Sequence, residues 1–323
     1  MRTEVKEFYR LTRPVRGAGY YETDHHRQLL RDIKEAVYEG GLVALTGVVG
    51  AGKTAMLRRL QDALAKEGRI ILSRSVAVEK ARVTIGTLIT ALYCDLTTDK
   101  DLKIPKLSEL RDREVLAMAV KKKKPVVLVV EEAHELHHTT LTGLKRLAEA
   151  FETGGIKLCV LLVGWPKLRN DLRNPSLEEV GSRTTVFTLE GVTGSQREYI
   201  EWILGVCAQD GVKVDEILDP AALDLLALRL RTPLQIEDHL TLALETGYQA
   251  SERPVTESIV ESVLSKQIDD MEPTLARHGY TPKVLSELVG AKPAEIKAMF
   301  RQTLEPERAR EIKEQMLAAG LPV

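Results

Sequence analysis

The chain has 323 residues, of which 44% are hydrophobic and 29% charged, and its net charge is −1. That length favours two domains over one, and the balanced charge excludes a globally basic nucleic-acid binder, so any such surface must be local. No apolar run approaches the ~20 residues of a membrane helix, the N-terminus has no apolar signal core, and Cys94, Cys159 and Cys207 are spaced for neither metal nor disulfide, so a reducing, cytoplasmic setting without a membrane anchor is expected.

Residues 1–22 read as a lead-in, basic in places through Arg2, Lys6, Arg10, Arg13 and Arg16. Thr23 or Asp24 caps a predicted helix to about Glu39, with Leu29, Leu30, Ile33 and Val37 inward. Tyr20, Tyr21 and His26 are positioned either to touch a base or simply to pack. Gly41–Thr46 is a short apolar run of strand type. Gly47 to Thr54 then reads GVVGAGKT, a complete G-x-x-x-x-G-K-[ST] phosphate-binding loop. Thr54 opens an amphipathic helix with Leu57, Leu60 and Leu64 on one face and Gly68 as its stop. This order of residues suits phosphate chemistry. Gly47, Gly50 and Gly52 let the backbone approach an anion, and N–H groups at the helix start point at it. Lys53 supplies charge for β- and γ-phosphates, and the Thr54 hydroxyl can ligate Mg²⁺. Gly47, Val48, Val49, Gly50, Ala51, Gly52, Lys53, Thr54 and Ala55 are therefore the candidate ATP contacts.

Further strands are predicted at Arg69–Ser73, Val126–Val130, Ile156–Val163 and Val186–Leu189, with helices at Thr84–Leu96, Ser108–Val120 and Thr140–Glu152 between them. The alternation from 40 to 190 predicts a five-stranded parallel sheet covered by helices, an α/β fold with ligands at the carboxyl ends of the strands. VVLVV at 126–130 is continuous, as a strand buried on both faces must be. Glu131-Glu132-Ala133-His134 follow directly. Glu131 is the candidate second Mg²⁺ ligand, although Asp is usual there, and Glu132 the base that polarises the attacking water. His134, His137 and His138 cluster nearby without a matching set of further metal ligands. Gly164-Trp165-Pro166 end the fourth strand, where a polar sensor residue is expected and none stands.

From Thr193 the pattern is helical: Ser195–Gln209, Pro220–Leu230, Pro233–Gln249 and Val255–Lys266. A linker is predicted at Asp269–Thr274, a helix–turn–helix over Tyr280–Leu304 and a charged last helix at Arg308–Ala319. The expected divisions are a lead-in (1–22), a P-loop core (23–191), a helical lid (192–268) and a small C-terminal helical module (269–323).

With GVVGAGKT, VVLVVEEAHEL, LLVGWPKLRNDL and RLRTPLQIEDHLTLAL in this order, residues 20–265 resemble the AAA+ ATPases of the ExeA-like group. That group includes the target-selecting ATPases of transposons, the TnsC, TniB and MuB class. The resemblance implies ATP and Mg²⁺ as cofactors, with Lys53, Thr54 and Glu132 in the roles given above. It implies that Arg183, or else Arg173, is an arginine finger reaching a neighbouring subunit, and hence a homo-oligomer, ring or helical filament. For Arg183 the alternative is a surface arginine paired with Glu178 or Glu179. Gln235 falls at the lid position that faces nucleotide in such proteins. It carries no charge, which leaves Arg229 or Arg231 to supply one. The missing charge and the missing sensor group point to slow hydrolysis, suited to a switch.

The transposon class also implies sequence-independent contact with double-stranded DNA and a transposase partner. Lys80, Arg82, Lys103 and Lys106 are the candidate phosphate contacts, and each is equally an ordinary solvated charge. Lys121–Lys124 reads as a solvated helix end. The helix–turn–helix carries Lys297 and Arg301 but also Glu295, a thin basic face for reading DNA, so docking of a partner protein is the preferred expectation. Two other readings compete with the transposition regulator: a secretion-associated ATPase, for which a membrane segment would be expected, and an ATP-binding signalling or scaffold protein.

Overall fold

The computed structural model describes residues 1–74, 83–97, 104–264, 271–277, 279–301 and 303–321. Lys80, Arg82 and Lys103 lie outside the described residues. The chain divides into two compact units. A helical unit comprises Met1–Thr23, Val48–Gly52 and Glu190–Val323, and a sheet unit comprises Asp24–Gly47 and Lys53–Leu189. The segments read as lead-in, lid and C-terminal module all lie in the helical unit.

The lead-in is structured. It forms a helix, α1 (Thr3–Phe8), and a 3-10 turn at Val15–Gly17. Val5, Tyr9, Leu11 and Val15 are buried in the helical unit's core. The backbone is pinned there as well: Thr12 N–H donates to Cys207 O (2.7 Å) and Gln209 N–H to Arg10 O (2.9 Å), and the Tyr9 hydroxyl donates to Glu252 O (2.8 Å). Val5 and Tyr9, four residues apart, share one helix face, and that spacing is the local reason the segment packs.

The sheet unit follows the expected alternation: α2 (Asp24–Glu39), β1 (Gly41–Thr46), α3 (Lys53–Glu67), β2 (Ile71–Arg74), α4 (Ile85–Leu96), α5 (Ser108–Lys122), β3 (Val126–Val130), α6 (His138–Thr153), β4 (Leu158–Gly164), α7 (Pro166–Leu172), α8 (Glu178–Gly181) and β5 (Thr184–Thr188). The strands stand in the order β2-β3-β4-β1-β5, and every pairing is parallel. Every residue of β3 and β4 is buried, which is why both read as unbroken apolar runs. Leu128, Val160 and Leu162 meet Leu88, Leu92, Leu144 and Phe151 from the covering helices in one core. β1 pairs with β4 from Gly41↔Cys159 to Thr46↔Gly164. The connection leaving β1 runs to the β2 edge and the one leaving β4 runs to β5. Oppositely directed connections open a crevice at the carboxyl ends of these two strands.

The helical unit holds α9 (Gln196–Cys207), α10 (Pro220–Arg229), α11 (Pro233–Gln249) and α12 (Glu257–Leu264). Ile200, Ile203, Leu226, Ile236, Leu240 and Val260 share its core. Four further helices follow: α13 (Met271–Arg277), α14 (Pro282–Val289), α15 (Pro293–Phe300) and α16 (Pro306–Ala318). The helix α13 overlaps the stretch expected as a linker. Its buried Met271 and Leu275 are one helical turn apart, enough to hold a short helix against a neighbour. The helix pair α14–α15 stands where the helix–turn–helix is expected, with Gly290 at φ +66° ending α14, a conformation glycine adopts without steric cost.

Phe151 is fully buried in the sheet unit. Phe151→Ala is expected to cost about 3–5 kcal/mol, read as a loss of unfolding free energy in denaturant melts.

Candidate functional site

Thr46 ends β1, and Gly47 N–H donates to Gly164 O (3.3 Å) at the end of β4. After the loop, Lys53 is the first residue of α3. Its ammonium donates to Gly47 O at 2.7 Å, folding the side chain back to the loop's origin. Burial is the largest influence on it and lowers its pKa to about 8, partly opposed by the negative charge of Glu132. The two groups expected to bind phosphate and activate water are therefore within electrostatic reach of each other. Thr54 is exposed, and Gly50 and Gly52 have φ of +80° and +98°, the left-handed values their side-chain-free backbone permits.

Glu131 and Glu132 follow β3 directly, Glu131 exposed and Glu132 half-buried. Glu132 adopts φ 52° and ψ 35°. A non-glycine residue in this left-handed conformation is uncommon, and such strain concentrates at functional positions. The chain then makes a 3-10 turn, Ala133–Glu135, which buries His134.

His134, which the sequence offers only as one of a histidine cluster, organises this corner. Its ring stacks on Trp165 with centroids 4.2 Å apart and planes 17° from parallel. Its Nδ1 accepts from Trp165 N–H (3.3 Å), which leaves the ring proton on Nε2, 3.4 Å from Glu135 Oε1. The same Nδ1 lies 3.7 Å from Glu132 Oε2, and Lys167 Nζ donates to His134 O (3.0 Å) and to Asp171 Oδ2 (2.8 Å). Gly164 makes room for this arrangement: a Cβ there would stand 3.1 Å from His134 N and 3.3 Å from its Nδ1. The position that lacks a polar sensor side chain is thus filled by the imidazole and indole of its neighbours. The sequence signal was the pairing of a bare Gly164 with an unusual Trp165. Among the described residues, no group of three His, Cys, Asp or Glu is placed to hold a metal, so His134, His137 and His138 form no such site. The oxygen donors Thr54 and Glu131 suit Mg²⁺, which takes few protein ligands beside substrate phosphate and water.

Several expected residues are engaged elsewhere. Gln235 is buried, and its amide is consumed by backbone groups. Its Oε1 accepts from Arg231 N (2.9 Å) and Thr232 N (3.2 Å), and its Nε2 donates to Leu317 O (3.4 Å) and to Leu321 O. It caps α11 and anchors the chain's last helix. Arg229 pairs with Glu314 (3.6 Å). Tyr21 packs on Tyr199 and Trp202, with centroids 5.5 and 5.3 Å away. Arg173 is exposed at the end of α7, and Lys106 is exposed too. Lys123 ends α5 in a left-handed conformation and Lys124 Nζ donates to Gly68 O (2.9 Å), as the helix-end reading of the lysine run anticipates. Arg183 immediately precedes β5, at the amino ends of the strands and so at the opposite end of the sheet from Gly47. It is exposed and bonded to Glu149, not to Glu178 or Glu179. Lys145 takes Glu179 instead (2.8 Å).

The depressed Lys53 has a measurable consequence. Its folded value of about 8 lies below the ordinary 10.5. Between those values the unfolded chain binds more protons than the folded one, so this group's contribution to stability rises with pH. Wild-type stability minus that of Lys53→Met is expected to increase from pH 7.5 to 10, by about 3 kcal/mol at most, as read from denaturant melts of the nucleotide-free proteins.

Comparison with known proteins agrees with this architecture. Residues 35–172 match the model of an AAA domain family. General secretion pathway protein A of Aeromonas hydrophila is 36% identical over 172 residues, covering 51% of this chain. The chain spans 30% of that relative's length. Among solved structures, the Aeropyrum pernix ORC2 protein superposes with a TM-score of 0.51 at 13% identity, over 95% of this chain and 89% of that one. Cdc6p from Pyrobaculum aerophilum gives 0.49 at 17% identity over 97% of each. At 13% identity the likeness to the ORC2 protein is one of fold. The stretch similar to the AAA domain family thus carries β1 to β4 of the five-stranded parallel sheet.

Proposed function

We propose that the chain is a Mg²⁺-dependent ATPase, slow enough to act as a switch, whose ATP-bound form assembles on double-stranded DNA as a regulator of transposition. The observation that carries the catalytic part is the half-buried Lys53 ammonium, which donates to Gly47 O at 2.7 Å and stands in the field of Glu132. A cation held in an apolar setting is stabilised by an anion brought beside it, and the β- and γ-phosphates of ATP are such anions. Loop N–H groups of Gly47 to Ala55 would orient the phosphates, and Thr54 and Glu131 would hold Mg²⁺. Bound there, Mg²⁺ neutralises charge that develops on the phosphoryl oxygens. Glu132 would accept the proton of the attacking water. Its backbone conformation fixes where that carboxylate projects.

Arg183 faces away from its own chain's phosphate loop, so a catalytic role for it requires a neighbouring subunit. Leaving Glu149 would cost little, since exposed ion pairs are weak. Lys106, with Lys80, Arg82 and Lys103, remains a candidate for DNA phosphates. A second reading, a secretion-associated ATPase, is favoured by the similarity of half of this chain to a general secretion pathway protein. Among the described residues no helix is long and apolar enough to cross a membrane.

Lys53→Ala is expected to abolish binding of ATP. Glu132→Gln is expected to keep ATP affinity and lower kcat by ~10²–10⁴ from a wild-type value below ~10 s⁻¹. Unchanged turnover in Glu132→Gln removes the assignment of the base.

Sizing and negative-stain imaging with a non-hydrolysable ATP analogue, with and without duplex DNA at two salt concentrations, test the assembly. The expected result is rings or filaments that need both ligands and weaken with salt. Assembly indifferent to DNA rejects the transposition reading and favours the secretion one.

A further inference from the structure

Three distant stretches of the helical unit close on the phosphate loop. Val49 N–H donates to the Tyr280 hydroxyl at 2.9 Å, and Tyr280, just before α14, is only 3% exposed. Gly50 lies so close to Leu234 in the first turn of α11 that a Cβ at position 50 would overlap the leucine side chain. Beyond α16, a Cβ on Gly320 would stand 3.1 Å from Val48 Cγ2 and 3.0 Å from Thr232 Cγ2. Gln235 secures the same end of the chain through Leu317 O and Leu321 O. The C-terminal helices are thus fastened to the lid helix and reach the loop through one polar contact, at Tyr280, and one close packing, at Gly320, while Leu234 of the lid helix packs on it as well.

We infer that α13–α16 form a latch on the phosphate loop, in which the Tyr280 hydroxyl holds Val49 N–H until a nucleotide displaces it. This rests on the reading of the loop as an ATP site. Loop N–H groups of this kind serve anions, and here a neutral oxygen of the chain itself takes one. Burial pushes the Tyr280 phenol up to about 12, opposed by the Val49 hydrogen bond, so at neutral pH it brings no charge to the loop. A phosphate oxygen is the stronger acceptor, since charge-assisted hydrogen bonds are roughly twice as strong as neutral ones. The latch therefore yields to nucleotide. By reciprocity, whatever factor the tail takes from ATP affinity, ATP takes from the tail's hold on the loop. A partner that captures the released helices would favour the nucleotide-loaded chain.

The test uses the full chain and Tyr280→Phe, which keeps the ring and removes the hydroxyl. A fluorescent ATP analogue is titrated with Mg²⁺, with Lys53→Ala as the non-binding control. Hydrogen exchange is followed in peptides covering 47–52 and 282–300, with and without a non-hydrolysable ATP analogue. The latch predicts that Tyr280→Phe binds about three- to tenfold tighter, the worth of one hydrogen bond. It also predicts faster exchange at 47–52 in the nucleotide-free variant, and faster exchange at 282–300 in the wild type when the ATP analogue is added. Equal affinity, with exchange at 282–300 indifferent to ATP, overturns the latch and leaves the ATP reading standing. Weaker binding by Tyr280→Phe also overturns it and makes Tyr280 a nucleotide contact. Binding absent from wild type and variant alike overturns the ATP reading, and the latch with it.

Discussion

A half-buried lysine ammonium, that of Lys53 at the carboxyl end of a parallel sheet, is the interaction on which this site depends. Burial disfavours its charge, enough to hold the pKa near 8, and the chain offsets that cost with two groups of its own. One is the carbonyl of Gly47, the residue that follows β1. The other is the carboxylate of Glu132, two residues after β3. Both are placed by strand order: β1 lies beside β4, β4 beside β3, and their parallel alignment brings all three carboxyl ends to one edge. A sheet with β1 at its margin would leave the ammonium without this setting.

The same edge explains the departure at the expected sensor position. Gly164 has no side chain because His134 occupies the space one would need. His134 in turn is fixed by the Trp165 ring and backbone, so residues from the β3 and β4 ends form one interlocked corner beside Glu132. The corner holds its groups by packing and backbone hydrogen bonds, and Glu132 is delivered through a left-handed backbone conformation. Rigid placement of this kind suits a carboxylate that must point at a water in one position.

The helical unit gives the C-terminal helices a different weight from that of a tethered accessory. Gln235 joins the start of the lid helix to the end of the chain. The N-terminal segment contributes Val5, Tyr9, Leu11 and Val15 to the same core. Start, lid and end of the chain are therefore one packed body, in which Tyr280 meets the phosphate loop.

The sequence by itself determined the elements and the chemistry carried on consecutive residues. Short apolar runs located five strands, VVLVV to the residue, because burial on both faces leaves no other composition available there. GVVGAGKT and the acids after β3 stand out because a phosphate loop, and the metal and water chemistry expected beside it, call for those residue types in fixed order. The α11 helix stands where the sequence places it, from Pro233 to Gln249. Only the tertiary structure decided that His134 fills the space beside Gly164, that Arg183 pairs with Glu149, that Gln235 is spent on the chain's last helix and that Tyr280 reaches Val49. Each of these joins residues roughly 30 to 230 positions apart. Local pattern encodes which face of an element is apolar. Which distant face it meets, and which side chain ends up in the remaining space, is set by strand order and by the close packing of interiors, and neither is written in any short stretch of the chain.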